Sequence, residues 1–173
     1  DAPSLGPTGP CGPCSEIIFD LGPEHGCGKP DCRPGCDCNR WLEYWNLVFQ
    51  VFDRKDGGVL DPLPQRNIDT GLGLERLASI LQGTATNFET DALRPIITRV
   101  EEMSGARYGA DERGDVFLRV IADHVRAGVF LVSDGVNPAN TGRGYVLRRL
   151  MRRAVLRGDL LGLKEPFVHE LVP

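Results

Sequence analysis

His25, Cys27, Cys32, Cys36 and Cys38 crowd into one polar, glycine- and proline-rich stretch, with the cysteines spaced C-x4-C-x3-C-x-C. Thiols this close, in a segment nearly devoid of apolar residues, have little to gain as core. Thiolates in such a pattern suit a tetrahedral Zn²⁺, which would order a loop that cannot fold on hydrophobic burial. The reading is a structural rather than catalytic zinc on Cys27, Cys32, Cys36 and Cys38, with His25 as a substitute ligand; disulfides and free thiols are the alternatives. A second pair, Cys11-x-x-Cys14, admits a redox couple, half a metal site, or two small buried thiols.

Different chemistry is suggested by Asp69-Thr70-Gly71-Leu72-Gly73-Leu74-Glu75-Arg76. An acid closes a short apolar run, two glycines follow, and a helix opens with an arginine in its first turns. Glycine lets the backbone turn tightly and approach a ligand without Cβ interference. Leu74, Leu77, Ala78 and Leu81 recur at helical spacing and are expected to pack, which aims Glu75 and Arg76 elsewhere. A carboxylate and a guanidinium at such a strand-to-helix corner make one side of a ligand site. The simpler reading is that Asp69 or Thr70 caps the helix and Arg76 is a solvated charge.

Two further groups carry chemistry. In 41–54, Glu43, Asn46 and Gln50 interrupt an aromatic and β-branched run and must find partners or a ligand. Alternation puts Asn46, Val48 and Gln50 on one face, with Glu43 on the other unless a bulge intervenes. From 142 to 158 there are arginines at 143, 148, 149, 152, 153 and 157 and no acid, on a chain of net charge −4. That local basic face suggests a specific anionic partner. One helix cannot point every arginine outward, so some are expected on its buried side or paired with acids. Asp123 and His124 read as structural polar contacts on a helix, or as an acid–base pair.

These residues need elements to hold them. Residues 1–15, rich in Gly, Pro and Cys, predict a rigid turn-rich loop, 16–20 a short strand, and 21–40 the polar cysteine excursion. The run 41–54 predicts a long strand buried on both faces and therefore central. Lys55-Asp56-Gly57-Gly58 makes a hairpin turn. Residues 59–68 return as an edge or irregular strand marked by Pro62 and Pro64, delivering the chain to Asp69. After a linker at 84–88, helices are predicted over 90–103, 115–132 and 145–157, with Phe117, Val120, Ile121 and Val125 inward in the second. The pattern is α+β: an antiparallel sheet with a flanking helix, then an all-helical segment. The boundary falls at residues 86/87.

The motifs together closely resemble the alanyl-tRNA synthetases, a family of class II aminoacyl-tRNA synthetases. They are Thr8-Gly9-Pro10-Cys11-Gly12-Pro13-Cys14-Ser15-Glu16, Leu42-Glu43-Tyr44-Trp45-Asn46-Leu47-Val48-Phe49, Asp69 to Arg76, Arg119-Val120-Ile121-Ala122-Asp123-His124-Val125-Arg126 and Asn140-Thr141-Gly142-Arg143-Gly144-Tyr145-Val146-Leu147-Arg148-Arg149. The resemblance implies that 1–86 is the C-terminal part of a class II catalytic domain, with 21–40 an insertion where family members vary, and that 87–173 begins a helical tRNA-recognition domain. It implies a parent enzyme that activates alanine with ATP and Mg²⁺ and acylates the 3′ end of tRNA. Asp69 then holds the α-ammonium of alanine, Val48 and Asn46 wall the side-chain pocket, and Gly71 admits the substrate to the backbone. Asp69 to Arg76 resembles the third class II motif, whose arginine, here Arg76, binds the ATP triphosphate, with Glu43 a participant. Asn140 matches an asparagine at the acceptor stem, and Arg143, Arg148, Arg149, Arg152 and Arg153 engage phosphates.

The first two class II motifs and the editing domain have no counterpart in these residues, so we expect a piece of a longer protein, inactive by itself. The start at Asp1 and the end at Pro173 fit that expectation. With 41% hydrophobic and 25% charged residues and no apolar run long enough to span a bilayer, a cytoplasmic protein with no membrane partner is expected. The competing reading is a non-catalytic, zinc-stabilised RNA-binding module.

Overall fold

A computed structural model describes residues 8–172. The chain divides between Asn87 and Phe88 into two compact units.

In the first unit, β1 (Gly9–Cys11), β2 (Cys14–Asp20), β3 (Trp41–Arg54) and β4 (Leu60–Leu72) form one antiparallel sheet, followed by helix α1 (Leu74–Gln82). The long strand β3 is central as expected. It pairs with β4 along one edge and with β1 and β2, end to end, along the other. The loop expected over 1–15 is corrected for its described part: Gly9 to Cys11 and Cys14 onward are strand, and residues 1–7 lie outside the described residues. Strand is possible there because β3 offers a free edge, where a proline without an N–H costs no ladder bond. The break between β1 and β2 falls at Gly12, where a Cβ would lie 1.7 Å from the Phe49 carbonyl oxygen. Only glycine fits that approach.

Burial of β3 on both faces is also corrected. Its residues are half-buried and Phe49 is 37% exposed, because among the described residues of this unit a single α-helix, α1, packs on it. The hairpin from β3 to β4 turns through Gly57 and Gly58 at positive φ, closed by the Lys55 N–H donating to the Val59 oxygen at 2.9 Å. The prolines give the irregularity expected of them. The register jumps from Gln50↔Asn67 to Phe52↔Pro62, so the segment containing Pro64 bows outward. The expected end of this strand near Ile68 is wrong, since β4 runs to Leu72 and the turn into α1 is made by Gly73. The packed face of α1 is rotated from the expected one. Leu74 and Leu81 are 70% and 77% exposed, while Ser79 is buried and donates to the Arg76 carbonyl at 2.8 Å.

The second unit holds α2 (Arg94–Ser104), α3 (Glu112–Ser133) and α4 (Gly142–Leu160), then a 3-10 turn at Val168–Leu171. Helix α2 starts later than the predicted 90 because Pro95, lacking an N–H, belongs in a first turn. Helix α3 starts earlier than predicted, because the Asp111 carboxylate caps it by accepting from the Gly114 N–H at 2.8 Å. Helix α4 begins before the predicted Tyr145, at Gly142. The hydrophobic core runs through Ile97, Val100, Leu118, Ile121, Val125 and Ala154, all at most 2% exposed. Phe117 and Val120 flank it half-buried. Close approach is built from glycines: Gly128 faces the Met151 sulfur, and a Cβ on Gly158 would lie 2.3 Å from the Phe167 ring. The buried Glu101 carboxylate is satisfied on both oxygens, by Arg94 at 2.9 Å and the Tyr108 N–H at 2.8 Å. No helix among the described residues is long and apolar enough to cross a membrane.

Candidate functional site

Directly opposed residues of an antiparallel pair project to the same face. On β3, Asn46, Val48 and Gln50 lie opposite Gly71, Asp69 and Asn67 of β4, while Asn46 and Val48 lie opposite Glu16 and Cys14 of β2. One face therefore carries the rows Glu16–Asn46–Gly71 and Cys14–Val48–Asp69. Gln50 adds a long contact, its amide donating to one Asp69 carboxylate oxygen at 3.4 Å. The other face carries Trp45, Leu47 and Phe49 opposite Leu72, Thr70 and Ile68, and the Trp45 indole N–H donates to the Thr70 hydroxyl. Asp69 is thus a strand residue beside Val48, and neither it nor Thr70 caps α1, which has no side-chain cap.

Gly71 leaves a notch in this face. A Cβ there would meet no protein atom within 4 Å, so the space between Asn46, Val48 and Asp69 is open to a small ligand resting on backbone.

The bulge condition on Glu43 is met. Ile17 pairs with Trp45 and the next residue, Ile18, with Glu43, so Tyr44 is an extra residue. Ile18 shares its face with Glu16, and the register therefore turns Glu43 onto the face of Asn46. Arg76 is brought to the same place: its guanidinium donates to the Glu43 carbonyl at 2.6 Å. Gly73 makes room for it, since a Cβ there would stand 3.2 Å from Arg76 Cδ. The carboxylate–guanidinium corner is accordingly replaced by a line along β3. Asp69 sits at Val48, and Arg76 at Glu43, roughly 15 Å away at about 3.3 Å per residue.

The four expected cysteines converge. Their sulfurs lie within 4.8 Å of one another, with Cys27 to Cys36 at 3.5 Å and Cys32 to Cys38 at 3.8 Å. A tetrahedral metal with sulfur at about 2.3 Å needs sulfurs about 3.8 Å apart, whereas a disulfide needs about 2.05 Å. The donor set fits a zinc ion and does not fit a disulfide; His25 is outside the set. Cys32 is lowered to about 7 by the Trp41 indole N–H, 3.4 Å away, while Cys36 is pushed up to about 12 by Cys27 and by desolvation. Such opposition is expected where one thiolate suppresses the next and a dication would relieve all four. The loop is closed below the cluster by Arg40, which forms two bonds of 2.6 Å to the Asp20 carboxylate and lies over the Trp41 ring. Arg40 and the Gly22 N–H hold the Asp20 carboxyl down at about 2. Cys11 and Cys14 join no metal-type group among the described residues, and Cys14 is exposed, so the buried-thiol reading of this pair is corrected.

On α4 the buried seam is narrow, made by Gly144, Leu147, Ala154 and Gly158. It is narrow enough that Arg143, Arg148, Arg149, Arg152 and Arg153 are all exposed; only Arg157 turns partly inward, over Phe117. No ion pair links these five arginines to an acid among the described residues. The expectation that some of these five would lie on the buried side of the helix or pair with acids is wrong. Asn140, just ahead of the helix, accepts a hydrogen bond from Arg148 through its side-chain oxygen. His124 is buried and its Nδ1 meets the exposed Asp123 carboxylate at 2.8 Å.

Residues 3–173 match the family model of the class II (A) tRNA synthetases. The chain belongs to that family. It is 56% identical to an alanine–tRNA ligase of Desulfitobacterium hafniense over 97% of this chain and 19% of that protein. The corresponding figures are 57%, 95% and 19% for the ligase of Clostridioides difficile, and 58%, 96% and 19% for that of Pelotomaculum thermopropionicum. The chain therefore spans about a fifth of the length of the curated relatives it matches. Glu16 and Asn67 join the site face without having been singled out. Glu16 ends the motif that starts at Thr8, but only the pairing with Asn46 gives it a position.

Proposed function

We propose that this chain is a working piece of an alanine–tRNA ligase, supplying the amino-acid wall, an ATP contact and an RNA-facing helix. The observation that carries the reading is the face that joins Asn46, Val48, Asp69 and the Gly71 notch, on a chain 55–58% identical to such ligases. Asp69 takes the α-ammonium of alanine in a charge-assisted hydrogen bond, Val48 and Asn46 limit the side chain, and the substrate backbone lies over Gly71. The alanine carboxylate then attacks the α-phosphate of ATP, forming the acyl–phosphate bond as pyrophosphate leaves. Arg76 keeps donors free beyond the one given to Glu43, and these meet the triphosphate. Glu43 offers a hard oxygen ligand of the kind Mg²⁺ prefers. The adenylate is consumed by the 3′ end of tRNA, held by Asn140 at the acceptor stem and by Arg143, Arg148, Arg149, Arg152 and Arg153. Its setting is the cytoplasm, where translation enzymes meet tRNA.

Alanine-dependent ATP–pyrophosphate exchange by the full-length ligase tests the reading. Asp69→Ala and Arg76→Ala should each lower the rate about 10- to 100-fold, the worth of a hydrogen bond to a charged group. Unchanged exchange in both variants would instead favour a non-catalytic RNA-binding module.

The cysteine cluster is proposed to hold a structural Zn²⁺. Metal analysis should find about one equivalent, lost in Cys36→Ser. Protein that is metal-free after purification with zinc present rules it out.

A further inference from the structure

Resting on the reading of α4 and its leading loop as an RNA-facing surface, we propose that Arg148 is a positioning residue. It holds the Asn140 side-chain oxygen, and so presents the Asn140 amide –NH₂ as a fixed hydrogen-bond donor to an acceptor atom on the RNA.

Arg148 differs from its neighbours. Arg143, Arg149, Arg152 and Arg153 are exposed and make no side-chain hydrogen bond, ion pair or ring contact among the described residues, whereas Arg148 donates through Nη1 to Asn140 Oδ1. The two residues lie eight positions apart, one in the loop and one in the second turn of α4. The guanidinium therefore reaches back along the helix to the loop.

A second, independent feature pins the same loop. The backbone of Gly144 is pressed so close to it that a Cβ would fall 2.4 Å from the Asn137 oxygen and 2.6 Å from the Ala139 Cβ. Loop and helix are joined at two points, one by backbone packing of Gly144 on Asn137 and Ala139 and one by the guanidinium on Asn140.

The chemistry follows from the donor inventory. A primary amide presents an acceptor and a donor that exchange places on a half-turn of its last torsion, and an unheld exposed asparagine can offer either. Guanidinium has donors and no acceptor, so its contact selects the oxygen and leaves Nδ2 with both hydrogens outward. A group that only donates distinguishes an acceptor edge from a donor edge. An amide free to rotate loses that distinction. Arg148 thereby serves discrimination between RNAs, while the four unengaged arginines supply affinity without sequence preference.

The experiment measures binding of acceptor-stem RNA duplexes, each base pair altered in turn, to the full-length ligase at several salt concentrations. Asn140→Ala should reduce discrimination at one pair about tenfold, the scale of a single lost base contact. Arg148→Ala should reduce it at the same pair to a similar extent, and add nothing in the Asn140→Ala background. Arg149→Ala should weaken all duplexes alike and lower the salt slope by about one. The proposal is overturned if Arg148→Ala behaves as Arg149→Ala does, or if its effect adds fully to that of Asn140→Ala. If none of these variants moves RNA binding, it is the RNA-facing reading that fails.

Discussion

A Cβ at Gly71 would project into open space although Asn46 stands opposite and Asp69 lies two residues back on the same face. Its φ is not in the left-handed region, so alanine fits the backbone. Gly71→Ala should therefore change stability by less than about 1 kcal/mol yet raise the KM for alanine about tenfold or more, because the methyl occupies the space proposed for the substrate. Thermal melts alongside pyrophosphate exchange check this, and a stable variant with unaltered KM would show that the notch is not the amino-acid subsite. The site residues within one strand were readable from alternation alone, as with Asn46, Val48 and Gln50. Glu16 and Asn67 were not, because their membership depends on which residue of β3 each faces, and register across strands is set by turns and bulges rather than by local pattern. Arg76 was readable as a cation but not as a partner of the Glu43 carbonyl, since that contact depends on how tightly Gly73 lets the chain turn.

At the scale of elements, the ends of β2 and β3 are held by the Asp20–Arg40 pair. Asp20 is kept down at about 2 against an ordinary 3.8, chiefly by Arg40 and then by the Gly22 N–H. A depressed carboxylate contributes stability that is complete above about pH 4 and lost as pH falls through about 2. Arg40→Gln should return the Asp20 carboxyl towards its ordinary value, followed by the ¹³C shift of the carboxyl through an acid titration. An Asp20 that already titrates near 3.8 in the unaltered protein would remove the clasp from the account. β3 could be read from its density of aromatic and β-branched residues. The extent of β4 could not, because Pro62, Pro64 and Gly71 all argue against strand locally while the edge of β3 supplies the partners that override them. The narrow seam of α4 was similarly hidden. Glycines at 144 and 158 and an alanine at 154 allow close packing on little surface, which frees the remaining circumference for arginine.

For the whole molecule, the fully buried apolar cluster lies entirely after Phe88, while the first unit has half-buried strands and a cysteine loop. Residues 88–173 produced alone should fold cooperatively with strong helical circular dichroism, whereas 1–87 alone should depend on added Zn²⁺ for any sharp transition. A non-cooperative melt of 88–173 would show that its core is insufficient without the remainder. The loop carrying the cysteines leaves and re-enters the sheet through neighbouring stems, with the Leu21 N–H on the Arg40 oxygen at 2.9 Å beside the Asp20–Arg40 pair. Those stems amount to a socket. Another peptide with closely spaced ends, such as a lanthanide-binding tag, could be grafted between Leu21 and Arg40, reporting distances to the notch while the strands keep their own partners.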